Sequence, residues 1–128
     1  MADILIDTTI AIDASNENAK ALNYVRPLLN ADQAFIHAQV VAEVISATRD
    51  AREQSRLLRF LRQFHLIHSN EADSNSALQF LTRFHLSHNL DFGDCLIGTT
   101  ALRLDLPVAT LNDRHFRLFK DLTVIRPY

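Results

Sequence analysis

Five short apolar runs alternate with long segments of helical spacing, and this alternation constrains the chain more than any other feature. The runs are Ile4-Leu5-Ile6, Ala34-Phe35-Ile36-His37, Leu66-Ile67, Pro107-Val108-Ala109-Thr110 and Thr123-Val124-Ile125. Between them, residues 16–29 repeat Ala19, Leu22, Val25 and Leu29 on one face. Residues 40–50 carry Val40, Val41, Val44 and Ile45 likewise, and further helices are expected over 51–64, 70–88 and 94–104. Asn70 is placed to cap the fourth of these, with Asp73 in its first turn. Strands separated by helices pair in parallel through right-handed crossovers. The expected fold class is therefore α/β, a three-layer α/β/α sandwich on a mainly parallel sheet of about five strands.

Composition sets the limits. The chain has 128 residues, enough for a single domain spanning 1–128, and its 48% apolar content supplies a core. Gly93 and Gly98 are its only glycines, so long helices and tight connections are expected. A net charge of −2 excludes a strongly basic, histone-like binder but leaves room for a local basic face. Cys95 is the only cysteine, which excludes a disulfide framework and a thiolate metal site. The opening Met1-Ala2-Asp3 lacks a basic n-region, and no apolar run approaches the roughly 20 residues of a membrane span. A soluble cytoplasmic protein is expected.

In open parallel sheets, ligands bind at the carboxyl ends of the strands. Asp7 follows the first strand, Glu43 lies early in the helix after the second, and Asp94 opens the helix before the fourth. Asn112 and Asp113 follow the fourth strand. All fall at one edge. Asp after a strand or at a helix start is also an ordinary turn and capping choice. Two carboxylates about 4 Å apart repel by on the order of 4 kcal/mol at an effective dielectric near 20. A hard divalent cation, Mg²⁺ or Mn²⁺, removes that cost and can activate water against a phosphodiester.

Ile4-Leu5-Ile6-Asp7-Thr8-Thr9 resembles the opening of PIN domains, in particular the VapC-type toxins of bacterial toxin–antitoxin pairs. Val40-Val41-Ala42-Glu43-Val44 is similar to their second acidic motif, and the segment from Asp94 to Leu102 to their third. The segment from Leu106 to Phe116 resembles the fourth, and Leu122-Thr123-Val124-Ile125-Arg126-Pro127 the family's usual end. The resemblance implies a Mg²⁺- or Mn²⁺-dependent endoribonuclease. Asp7, Glu43 and Asp94 would be its acids, with Asp7 and Asp94 the direct metal ligands and Thr9 supporting Asp7 through its hydroxyl. The family's fourth acid, often Asp, falls on Asn112, with Asp113 one residue on. The fourth ligand is open between these two, with action through a water as one reading. The resemblance further implies a homodimer and a small antitoxin partner that blocks the acidic cleft.

Arg49, Arg52, Arg56, Arg59 and Arg62 fall within about 140° of one helical face. A solvated helix paired with Asp50 and Glu53 explains a charged face but does not call for five arginines. Contact with RNA phosphates, or with an acidic stretch of a partner, is the functional reading. The pairs His65/His68 and His85/His88 have metal-ligand spacing but no carboxylate spaced as a third ligand. His115 is expected in a structural or surface role, Phe80, Leu81 and Phe84 in core or dimer packing, and Cys95 as a small buried side chain.

Rival classes lack their own requirements. A receiver-like phosphoacceptor needs an Asp after the third strand, where Leu66-Ile67-His68-Ser69 has none. A haloacid-dehalogenase site needs an Asp where Thr9 stands, and a dinucleotide site needs a glycine-rich first turn. A catalytically silent binding module would keep the fold without needing Asp7, Glu43 and Asp94 together.

Overall fold

The structure is a computed structural model and describes residues 2–128. Five strands form one sheet: β1 (Ile4–Ile6), β2 (Ala34–His37), β3 (His65–Ile67), β4 (Val108–Ala109) and β5 (Val124–Ile125). Their order is β3-β2-β1-β4-β5 and every pairing is parallel. The helices are α1 (Thr8–Ser15), α2 (Ala19–Asn30), α3 (Ala38–Ser46), α4 (Ala51–Leu61), α5 (Glu71–His88), α6 (Phe92–Leu104) and α7 (Asp113–Phe116). Helices α1 to α4 pack on one another, and α5 pairs with α6. This is the expected α/β/α sandwich. Among the described residues, no helix is long and apolar enough to cross a membrane.

Two elements differ from the expectation. The stretch after Asp7, outside every helix expected from the sequence, is α1. Four of its first five residues are β-branched (Thr8, Thr9, Ile10, Ile12), which weakens any helical signal. Packing decides instead, because Ile10, Ala11 and Ala14 are buried. The chain then turns through residues 16–18, with Glu17 at φ 64°, so the next helix begins at Ala19 rather than at residue 16. The second difference is α7, a single turn after β4 that fixes the fate of Asn112 and Asp113.

Where local signals agree, boundaries follow them. The Asn70 side chain accepts from Asp73 N at 2.8 Å and Asp73 Oδ2 accepts from Asn70 N at 3.0 Å, a reciprocal cap that starts α5. Leu5, Ile6, Ile36 and Val108 from the strands meet Ile10, Val40, Val44 and Ile97 from the helices in a fully buried core. Burying each such side chain stabilises by about 1.5–3 kcal/mol. Gly98 lies inside this core, where a Cβ would stand 2.4 Å from the Phe119 ring. Phe80 stacks on that ring, with centroids 3.8 Å apart, so α5, α6 and the segment after α7 lock together.

Candidate active site

The connections that follow β1, β2 and β3 each bring one acid to the carboxyl edge of the sheet. Asp7 follows β1 and is the N-cap of α1, yet its side chain makes no capping bond. Because β1 pairs with β4 in the register Ile6↔Ala109, the next residue on each strand is a neighbour, and the Thr110 hydroxyl donates to Asp7 Oδ2 at 2.7 Å. Asp7 is only 4% exposed. Burial, with the charges of Asp94 and Glu43 adding, raises its pKa to about 6 against the opposing bond from Thr110.

Glu43 sits on α3. Its Oε2 accepts from the Thr8 hydroxyl at 2.9 Å and its Oε1 from Gln39 Nε2 at 3.4 Å. Asp94 lies in the first turn of α6, whose cap is Asp91: Asp91 Oδ1 accepts from Asp94 N at 2.8 Å. Burial raises the Asp94 pKa, opposed by His115 and reinforced by Asp91 and Glu43. His115 Nδ1 lies 2.8 Å from Asp94 Oδ2 and 3.1 Å from the Asn112 amide. A charged Asp94 requires the ring proton on that nitrogen, which then has no lone pair for the Asn112 Nδ2, so Asn112 is a neighbour of the pair rather than a donor to it. Gly93 gives the edge its closeness, since a Cβ there would meet Gln39 Nε2 at 2.9 Å and Glu43 Oε1 at 3.2 Å.

The residues following β4 divide differently from the sequence reading. Asp113 is held by Arg117 at 3.1 Å and Arg126 at 3.0 Å, which keep its carboxyl below the usual range. It is committed to those arginines, whereas Asn112 stands beside the His115–Asp94 pair. Thr9 also differs: its Oγ1 accepts from Leu111 N at 3.1 Å, and the hydroxyl on Asp7 is that of Thr110. His115, expected in a structural or surface role, contacts an acid of the cluster. The sequence reading also missed Thr8, Gln39, Asp91 and Thr110. For Asp91 the signal was its spacing of three before Asp94, a cap and third-position pair.

Among the described residues, no group of three or more His, Cys, Asp or Glu side chains stands ready to hold an ion. The carboxylates share an edge but lean on Thr8, Thr110 and His115, as uncompensated like charges do. Cys95 is buried, and its thiol is pushed up to about 12, so it offers no thiolate. The spaced histidines are engaged elsewhere: His65 pairs with Asp32 at 2.7 Å and His85 Nδ1 lies 3.0 Å from Leu90 O.

Of the five arginines, Arg52, Arg56 and Arg59 lie within α4, Arg49 precedes it and Arg62 is its C-cap. Arg49 pairs with Glu53 at 2.7 Å. Arg56 donates to Ser15 O at 2.6 Å, so it ties α4 to the far end of α1. That helix is about 12 Å long, which sets this arginine about one helix length from the acidic edge.

Comparison with known proteins fits this geometry. The chain is similar in fold to a toxin–antitoxin complex from Klebsiella pneumoniae, with TM-score 0.77, 23% identity and 98% of each chain covered. It is similar to VapBC2 from Rickettsia felis bound to a promoter DNA fragment, with TM-score 0.78, 20% identity, and 95% of this chain and 96% of that one covered. A third likeness is DNA-bound VapBC from Salmonella typhimurium, with TM-score 0.77, 17% identity and full coverage of both chains. No curated protein matches it in sequence. The sequence pattern of the PIN domain matches residues 4–122, from the first strand past the fourth and across all three acids. On that match, carried by a parallel sheet with its acids at one edge, the chain belongs to the PIN domain family.

Proposed function

We propose that this chain is a divalent-metal-dependent endoribonuclease and the toxin of a type II toxin–antitoxin pair. The observation that carries the reading is the gathering of Asp7, Glu43 and Asp94 at one sheet edge, with Asp7 buried and its pKa raised to about 6. A buried carboxylate beside two others is a costly arrangement unless a cation offsets it. An all-oxygen donor set fits a hard cation such as Mg²⁺ or Mn²⁺.

Asp7 and Asp94 would hold the ion, with Glu43 beside them. When bound, the ion supplies an acidified water and offsets charge on the phosphodiester. The chain's own groups set the stage. Thr110 fixes Asp7 Oδ2, Thr8 fixes Glu43 Oε2, and His115 fixes Asp94 Oδ2. Asn112 stands beside His115 at the fourth corner and brings no carboxylate to it, and Thr9 braces the loop after β4. Asp113 tethers that loop to Arg117 and Arg126.

The resemblance and the toxin–antitoxin complexes among the similar structures support an antitoxin partner, and the resemblance supports a homodimer. The face formed by Arg49, Arg52, Arg56, Arg59 and Arg62 is proposed to meet RNA phosphates or an acidic stretch of that partner. Arg52, Arg59 and Arg62 have no partner among the described residues and are the ones free to do so. The test is cleavage of total RNA by purified protein with Mg²⁺ or Mn²⁺, beside Asp7→Asn and a chelator control. Cleavage confined to the metal-supplied parent is expected; equal activity in all three overturns the proposal.

A further inference from the structure

An acidic edge repels the polyanion it is proposed to cut, so the strand needs a cationic hold beside it. The three arginines on and after α7 are not equivalent. Arg117 and Arg126 are both tied to the single carboxylate of Asp113, whereas Arg114 is exposed and has no hydrogen-bond or ion-pair partner among the described residues. Arg114 lines a cleft of about 530 Å³ between the end of α5 and α7, a size within the range of small-molecule sites. The same cleft is lined by His115, whose Nδ1 lies 2.8 Å from Asp94 Oδ2, so one residue of its wall touches an acid of the edge.

The remaining walls have mixed chemistry. Leu86, 96% exposed, and the half-buried Leu118 are apolar. His88 stands edge-on to Phe84 with centroids 5.6 Å apart, which holds the imidazole in place. Asn89 ends α5 in the left-handed conformation, at φ 51°, and its side-chain amide makes no bond among the described residues. A guanidinium and an imidazole suit a phosphate, apolar walls suit a base, and a free amide can both donate to and accept from a base edge.

We propose that this cleft is the subsite for the RNA nucleotide adjacent to the scissile bond. Its phosphate lies on Arg114, its base lies against Leu86 and Leu118, and Asn89 meets the base edge. The inference rests on the nuclease reading and adds to it the place where the strand is held.

The test is fluorescence anisotropy of a short labelled mixed-sequence RNA, titrated with full-length Asp7→Asn protein over a range of salt. Arg114→Gln in that background is expected to weaken binding about fivefold and to make the slope of log K against log salt shallower by about 0.7, the loss of one phosphate contact. Lys20→Gln, which removes the same charge at the start of α2, is expected to change neither. Binding by the background protein with Arg114→Gln unchanged, or with Lys20→Gln equally weakened, overturns the subsite alone. No RNA binding by the background protein overturns the nuclease reading and the subsite with it.

Discussion

The Thr110 hydroxyl donates to Asp7 Oδ2 at 2.7 Å across the seam between β1 and β4, a contact between residues 103 positions apart. Strand order alone creates it, because β1 and β4 are sheet neighbours although most of the chain separates them. The bond fixes one oxygen of a carboxylate that burial would otherwise neutralise. Asp7 is thus kept available at a cost in stability, a common arrangement where function and packing conflict.

That cost is measurable. A carboxyl whose pKa is about 6 when folded and 3.8 as a reference binds its proton more tightly in the folded state. Its charge therefore destabilises the fold increasingly as pH rises from about 4 to about 6, and by a constant amount above that. Asp7→Asn is expected to abolish cleavage yet stabilise the metal-free protein at pH 7 by about 1–3 kcal/mol. Thermal unfolding across pH checks this: the advantage of the variant should vanish near pH 4. Saturating Mn²⁺ should raise the parent's Tm and leave the variant nearly unmoved.

Thr110→Val removes the donor without changing volume. Hydrogen bonds to charged groups contribute about 1.5–3 kcal/mol, and that part of the loss falls on the ionised form of Asp7, whereas the bond that the hydroxyl accepts from Asn112 N at 2.9 Å is lost at every pH. The variant is expected to be less stable than the parent at pH 8, with the gap narrowing by pH 4.5, and to cleave RNA about tenfold more slowly. Thr110→Ser should restore both properties. Urea midpoints at the two pH values, beside initial cleavage rates, measure the effect.

The sheet was legible because its runs of three or four apolar residues are bounded by turn and cap residues, as at Asn70 before α5. The acids were legible because Asp7, Glu43 and Asp94 each stand where a strand or helix meets the carboxyl edge. What supports them was not, because support depends on contacts between distant positions. Neither Thr110 nor His115 carries a local sign that it will meet Asp7 or Asp94. The choice between Asn112 and Asp113 turns on α7, a helix of four residues that sets Asp113 one turn before Arg117. The residues of α1 read as non-helical for a similar reason: β-branched side chains there are retained by burial against propensity.

Gly93 and Gly98 separate packing from function. At Gly98 a new methyl would collide with Phe119, a ring 2% exposed and already stacked on Phe80, so no flexible end can give way. Gly98→Ala is expected to cost about 1–3 kcal/mol in urea denaturation, as overpacking does. At Gly93 the methyl meets the ends of Gln39 and Glu43, which can move. Gly93→Ala should leave the urea midpoint nearly unchanged and lower the cleavage rate by displacing Glu43. A large stability loss at Gly93, or none at Gly98, contradicts this division.

His37 makes the fold sensitive to acid. Its Nδ1 accepts from Gln39 N at 2.8 Å, so the neutral ring carries its proton on Nε2. That proton goes to Ser69 Oγ at 2.8 Å, Ser69 donates to Thr100 Oγ1 at 2.7 Å, and Thr100 donates to Leu96 O at 2.7 Å. The chain of bonds joins the start of α3, which bears Glu43, to α6, which bears Asp94. A second proton would have to enter at Nδ1, against the Gln39 amide. Burial, reinforced by His68 and opposed by Asp73, lowers the His37 pKa from 6.5 to about 4. A group with a lowered folded pKa contributes stability that is present above about 6.5 and is lost as pH falls toward 4. His37→Gln is expected to be less stable than the parent at pH 7.5, with the gap narrowing through that window. Comparing the two proteins at each pH cancels the opposite trend from Asp7. A gap that stays constant from pH 7.5 to pH 4 would show that His37 does not titrate in this way.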